Sequence, residues 1–261
     1  MDVVIYYAHG NSPRHTFTDH LLKNTGGGFS MGSSYFYLEV LLIWLALLKL
    51  SGFQNPAIFA LEYSLVPDES YPTQLNQVIA GYSYVSSLVR DTSKICVAGD
   101  SAGATLILSL LLHHARWNQD GVTNGAEFVR NGDTRPGMAV LISPWVTLLS
   151  FKDRDTPRDY LNMTTLRMYA HQYANNKTSL HDPRISPGNC KDFSWWQRAS
   201  PSNGFFVSYG SEEVLAPEIR DLVSLWKVAG IGVECREEKG GIHAWPVAGV
   251  YLSRAYNFLQ I

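Results

Sequence analysis

Residues 3–8 (VVIYYA) form an unbroken apolar run of strand length. A strand covered on both faces has no polar side to show, so it loses the alternation of a half-exposed strand. Residues 35–50 have helix length and are apolar at most positions. The same rhythm continues, with strands predicted at 57–63, 95–99, 138–143, 205–209 and 233–238. Helices are predicted at 71–89, from 102 to about 117, at 216–229 and after Trp245. Strands and helices that alternate in this way predict an α/β fold, a mostly parallel sheet with helices on both faces.

Two stretches break the rhythm. Residues 149–203 are rich in Asp, Arg, Asn and Pro yet hold Tyr160, Met163, Met168, Tyr169, Tyr173, Trp195 and Trp196. That is too long for a plain connection, and it reads as a helical cap segment lying over one end of the sheet. Residues 11–26 are mostly polar and separate His9-Gly10 from a run of glycines, Gly26-Gly27-Gly28.

Charge and composition narrow the partners. A net charge of −2 offers no general attraction to nucleic acid or to an anionic membrane. The longest apolar run, residues 40–50, is too short to span a bilayer, and MDVVIYY lacks the basic start of a signal peptide. Three cysteines, Cys96, Cys190 and Cys235, make no disulfide framework. Cys96 and Cys235 sit in apolar runs as expected of buried structural thiols. A soluble cytoplasmic protein is the expectation.

The candidate chemistry begins at Gly99-Asp100-Ser101-Ala102-Gly103, between a predicted strand and a predicted helix. A strand–turn–helix of this kind exposes the serine oxygen at a helix N-terminus, with the amide of Ala102 able to hold an oxyanion. A tight turn with an incidental serine is the plainer alternative. A serine nucleophile after such an elbow needs an acid and then a histidine further along. Glu212 and Glu213 follow the strand FFVSY, and His243 follows the strand VECREEK on a glycine-bearing loop. Either glutamate could instead serve the dipole of the next helix. His113 and His114 lie inside a helix, where packing roles are expected. No H-x-x-x-H, C-x-x-C or G-x-G-x-x-G pattern points to a metal or a dinucleotide, so no cofactor is expected.

Taken together, GDSAG, YSLVPDESYPTQL (residues 63–75), ISPW (142–145), YGSEEVL and GGIHAWP resemble the hormone-sensitive-lipase group of α/β-hydrolases, especially its fungal members. The motifs run from the first strand to the last helix. The resemblance implies a serine carboxylesterase with Ser101 as nucleophile, His243 as base and Glu213 as acid. Most of the family has Asp at that last position, so Glu212 stays as an alternative. It also implies a His-Gly-Gly-Gly motif after the first strand here, with Gly27 and Gly28 giving oxyanion-hole amides alongside Ala102.

In this chain that motif is interrupted. Removing residues 11–26 would join VVIYYAHG to GGFSMGSS, restoring His-Gly-Gly-Gly-Phe. Gly10-Asn11 and Thr25-Gly26 can be encoded with splice-like boundaries, so the insertion reads as a retained intron translated in frame. A surface loop grown by insertion is the plainer alternative. The insertion is expected to strand His9 and to leave Gly27 and Gly28 on a loose tether, and its deletion to raise activity. Against the family's strand order two N-terminal strands are missing. Residues 57–63 are then left as an apolar sheet edge that invites association, including a homo-oligomer. The partner the resemblance implies is a small hydrophobic ester with a short- to medium-chain acyl group. The rival expectation is a hydrolase-like binding module, or an inactive product of a mis-spliced transcript.

Overall fold

The computed structural model describes residues 1–10, 28–30, 32–120 and 135–250. Its elements are β1 (Val3–Ala8), α1 (Leu38–Leu50), β2 (Pro56–Leu61), α2 (Thr73–Val89), β3 (Ile95–Asp100) and α3 (Ser101–Asp120). They continue with β4 (Met138–Ile142), α4 (Met163–Ala174), α5 (Phe193–Ala199), β5 (Phe205–Gly210), α6 (Ala216–Val228) and β6 (Val233–Glu238). Residues 245–250 are also helical. The six strands are all parallel and lie in the order β2–β1–β3–β4–β5–β6. Every strand therefore ends at the same edge of the sheet, which is where open α/β sheets collect their working residues.

The pleat of β1 explains its unbroken apolar run. Val4, Tyr6 and Ala8 face a core built with α2 and α3, whereas Ile5 and Tyr7 face a smaller one with Tyr37, Val40, Leu41 and Val247. Tyr6 is fully buried, and its hydroxyl donates to the Val78 carbonyl at 2.8 Å, so its one polar atom is satisfied. α3 is apolar all round because it is enclosed: Leu106, Ile107, Leu108 and Leu110 are all fully buried. β2 is the sheet edge beside β1, and each of its residues is half-buried. Phe59 still stacks on Tyr6, with ring centroids 5.8 Å apart.

The predicted excursion at 149–203 divides in two. α4, capped by the Asn162 side chain, which accepts the Thr165 N–H at 2.9 Å, packs against the Gly28–Ser30 turn. α5 instead joins the helical layer beside α3 and α6, where Trp196 meets Trp226 edge-on at 5.2 Å. The cysteines differ from expectation. Cys190 is buried, while Cys96 near the start of β3 and Cys235 on β6 are only half-buried, the latter because β6 is partly open along its length. Among the described residues no helix is long and apolar enough to cross a membrane.

Candidate active site

Ser101 is the first residue of α3 and has φ +50°, a left-handed conformation that a serine adopts only when its surroundings impose it. The two glycines of the pentapeptide make the turn possible. A methyl group on Gly99 would lie 2.8 Å from the Ala8 carbonyl oxygen, and one on Gly103 would overlap the Ala8 and His9 carbonyls. β1 thus runs hard against the elbow. The Ser101 carbonyl accepts the Trp145 N–H at 3.2 Å, and the Thr105 hydroxyl bonds back to the Trp145 carbonyl at 2.7 Å. The turn is thereby tied to the end of the neighbouring strand, β4.

Glu213 follows β5 and His243 follows β6, and the adjacency of those strands brings the two loops together. His243 Nδ1 lies 3.1 Å from Glu213 Oε2, and each residue is only 2% exposed. Burial pushes the Glu213 carboxyl up, and its bond to His243 opposes that. For His243, burial disfavours the imidazolium, but the bond and charge of Glu213, with Asp159 and Asp100 behind, outweigh it. The imidazole pKa is therefore held above its ordinary value. A buried Ser143 hydroxyl accepts the Ala244 N–H at 2.9 Å and latches the histidine loop to the end of β4.

The broken glycine motif is less disordered in space than in sequence. Contrary to expectation, His9 is not stranded. It is fully buried, stacks on Tyr63 with centroids 4.5 Å apart, and its carbonyl accepts the Tyr63 hydroxyl at 2.7 Å. The Gly10 N–H donates to Asp100 at 2.7 Å. Beyond the insertion, Phe29 is fully buried and stacks on Tyr173 at 3.7 Å, while its carbonyl accepts the Val66 N–H at 3.0 Å. Gly28 has φ +33° and sits so close to the Tyr169 ring that no β-carbon would fit. A methyl group on Gly32 would lie 2.7 Å from the Gly10 carbonyl oxygen, so the chain returns to where it left. The side chains that flank the interruption hold its two ends, and this packing replaces the chain continuity the motif lacks. Gly27 and the whole insertion, residues 11–26, lie outside the described residues.

A family model described as alpha/beta hydrolase fold matches residues 22–247. The chain belongs to this α/β-hydrolase family. A solved hormone-sensitive lipase from a metagenome library superposes with a TM-score of 0.69, at 25% identity over 95% of this chain and 72% of that one. A Schizosaccharomyces pombe protein named as a steryl acetyl hydrolase is 30% identical over 173 residues, 63% of this chain and 42% of that protein. An acetyl-hydrolase of Streptomyces hygroscopicus is 27% identical over 239 residues, 86% of this chain and 67% of that one. The chain thus spans less than half of the yeast relative and two thirds of the bacterial one.

Of the other residues singled out, Glu212 is half-buried with its carboxylate near Ser211 Oγ, and the imidazole pairs with Glu213. His113 and His114 stay in α3 away from the strand ends. Burial, helped by His113, lowers the His114 pKa to about 4, and its ring meets Tyr82 edge-on at 5.2 Å. Three features of this α/β-hydrolase escape sequence reasoning. Asp100 is fully buried and accepts the Tyr7 hydroxyl at 2.6 Å, the Tyr37 hydroxyl at 2.8 Å and the Gly10 N–H, so it fastens the elbow to β1 and α1. The second is Ser143; the third is the stretch 155–160. An aspartate at the end of an apolar strand was the one signal visible beforehand, since a buried carboxylate needs several donors.

Proposed function

We propose that this chain is a serine-dependent hydrolase of carboxylic esters with short- to medium-chain acyl groups. The observation that carries the reading is the buried Glu213–His243 pair at 3.1 Å, at the same sheet edge as the strained Ser101 elbow. Ser101 Oγ attacks the ester carbonyl carbon while His243 accepts its proton, and Glu213 steadies the imidazolium that forms. Charge gathers on the former carbonyl oxygen, where the donors are the amide of Ala102 and, by family resemblance, those of Gly27 and Gly28. The tetrahedral species collapses, the C–O bond to the alcohol breaks, and His243 returns the proton to the leaving alkoxide. Water then repeats the sequence on the acyl-serine and frees the acid. The relatives named for acetyl hydrolysis support a short acyl group.

The test is covalent labelling with a fluorophosphonate, followed by kinetics on p-nitrophenyl acetate and butyrate. The unaltered chain is expected to take up one probe at Ser101, and Ser101→Ala and His243→Ala to abolish both labelling and hydrolysis. Labelling that survives Ser101→Ala would sink the assignment. The absence of any labelling in the folded chain would favour a hydrolase-like binding protein instead.

A further inference from the structure

Residues 155–160 (DTPRDY) sit in the connection between β4 and α4, and they reach both loops that carry the acid and the base. The Thr156 hydroxyl donates to the Glu212 carbonyl at 2.6 Å, and the same oxygen accepts the Asp159 N–H at 3.1 Å. The Asp159 carboxylate accepts the Val214 N–H at 2.9 Å through one oxygen and the His243 N–H at 3.2 Å through the other. The backbone is therefore gripped immediately before Glu213, immediately after it, and at His243 itself. The Tyr160 ring closes edge-on over the imidazole with centroids 5.8 Å apart. The far side of the segment is fixed by Asp155, whose carboxylate accepts the Met163 N–H at the start of α4 at 2.7 Å.

None of these bonds involves a reacting atom, and all act on the backbone that sets where Glu213 and His243 stand. We propose that Asp159 is a positioning residue of the triad. It holds the acid loop and the histidine loop at one separation and sets a second negative charge beside the imidazole. This rests on the hydrolase reading of Ser101, Glu213 and His243. The charge is part of the design. Asparagine in place of Asp159 would keep one acceptor but turn N–H groups toward a backbone N–H, losing a bond as well as the charge. Around His243 the titratable groups among the described residues are Glu213 after β5, Asp159 and Tyr160 from the segment, and Asp100 at the end of β3. Removing Asp159 therefore leaves Glu213 as the dominant partner, with the loop around it less constrained.

The experiment compares the full chain with D159N and T156V. It measures kcat and KM on a butyrate ester, the melting temperature, and the titration of His243 by NMR, with H243Q assigning the resonance. D159N is expected to melt somewhat below the unaltered chain, because one backbone N–H loses its acceptor, and to lose on the order of tenfold to a hundredfold in kcat with little change in KM. Its His243 midpoint should fall by about half a unit or more, because an attractive charge has gone. T156V should lower kcat while leaving that midpoint in place, since it removes a strap and no charge. An unchanged His243 midpoint in D159N would overturn the proposal, even if the variant proved unstable. The titration needs no turnover, so the result stands apart from the hydrolase reading, which Ser101→Ala tests.

Discussion

Glu212 and Glu213 carry the same carboxylate on the same side chain, and their surroundings separate them. Glu213 is 2% exposed and bonded to His243, whereas Glu212 is half-buried and its carboxylate accepts from Ser211 Oγ at 3.5 Å. Glu213→Gln keeps the shape but loses the charge that favours the imidazolium and the correct tautomer. It is expected to lower kcat by roughly a thousandfold or more, and Glu212→Gln to change it little. The pH dependence follows from the same pair. Catalysis needs a neutral imidazole, and the His243 pKa is held above its ordinary value. Activity should therefore rise with pH through a midpoint above the usual imidazole value of about 6.5. In Glu213→Gln burial is left less opposed, so the residual activity should keep its acid limb at lower pH. A pH profile of kcat/KM on both variants checks this, and a larger loss in Glu212→Gln would reassign the acid.

At the scale of elements, what the sequence disclosed and what it hid have one physical cause. The strands were legible because a parallel sheet covered on both faces demands continuous apolar runs, and the elbow because steric crowding at Gly99 and Gly103 tolerates nothing larger. Asp159 was illegible because its partners, Val214 and His243, are 55 and 84 residues away and are met through their backbone N–H groups, which carry no residue identity. Asp153 was hidden in the same way. It follows β4 in sequence but is buried near Glu218 of α6. Burial, with the Glu218 charge adding to it, pushes its carboxyl up to about 7, while Arg167 and Arg154 pull the other way. A carboxyl whose folded pKa is raised stabilises the fold in its protonated form. That contribution is fully present below the ordinary value of 3.8 and is lost as pH rises toward about 7. Asp153→Asn locks in the neutral form. Its melting temperature should pull ahead of the unaltered chain's between about pH 4 and 7 and hold a constant lead above that. A lead that does not change with pH would show that Asp153 is ionised in the fold.

For the whole molecule the decisive fact is that the site hangs from the ends of parallel strands that the core holds separately. Residues 11–26 interrupt the chain between β1 and the Gly28–Ser30 turn, and from sequence this predicts amides adrift on a tether. The structure supplies a different restraint. His9 and Gly10 are held by Tyr63 and Asp100, and Gly28 is held by Phe29 between Tyr173 and the Val66 N–H. Gly10 and Gly32 lie side by side, so the interruption closes on itself and the entropy of a longer loop is a weak penalty. Packing of Phe29, more than the length of the tether, should then decide whether the Gly28 amide is in place when charge develops. Deleting residues 11–26 is expected to change the rate of fluorophosphonate labelling and kcat/KM on a butyrate ester by less than about tenfold. Phe29→Ala removes the anchor and should cost on the order of a hundredfold, the usual effect of losing one oxyanion donor. It should also lower stability by about 3–5 kcal/mol through the cavity it leaves. Circular dichroism on both variants separates misfolding from misplacement, because Phe29→Ala should keep the sheet signal while losing rate. A gain of tenfold or more on deleting residues 11–26 would mean that the packing does not hold the turn and that the interruption damages the site.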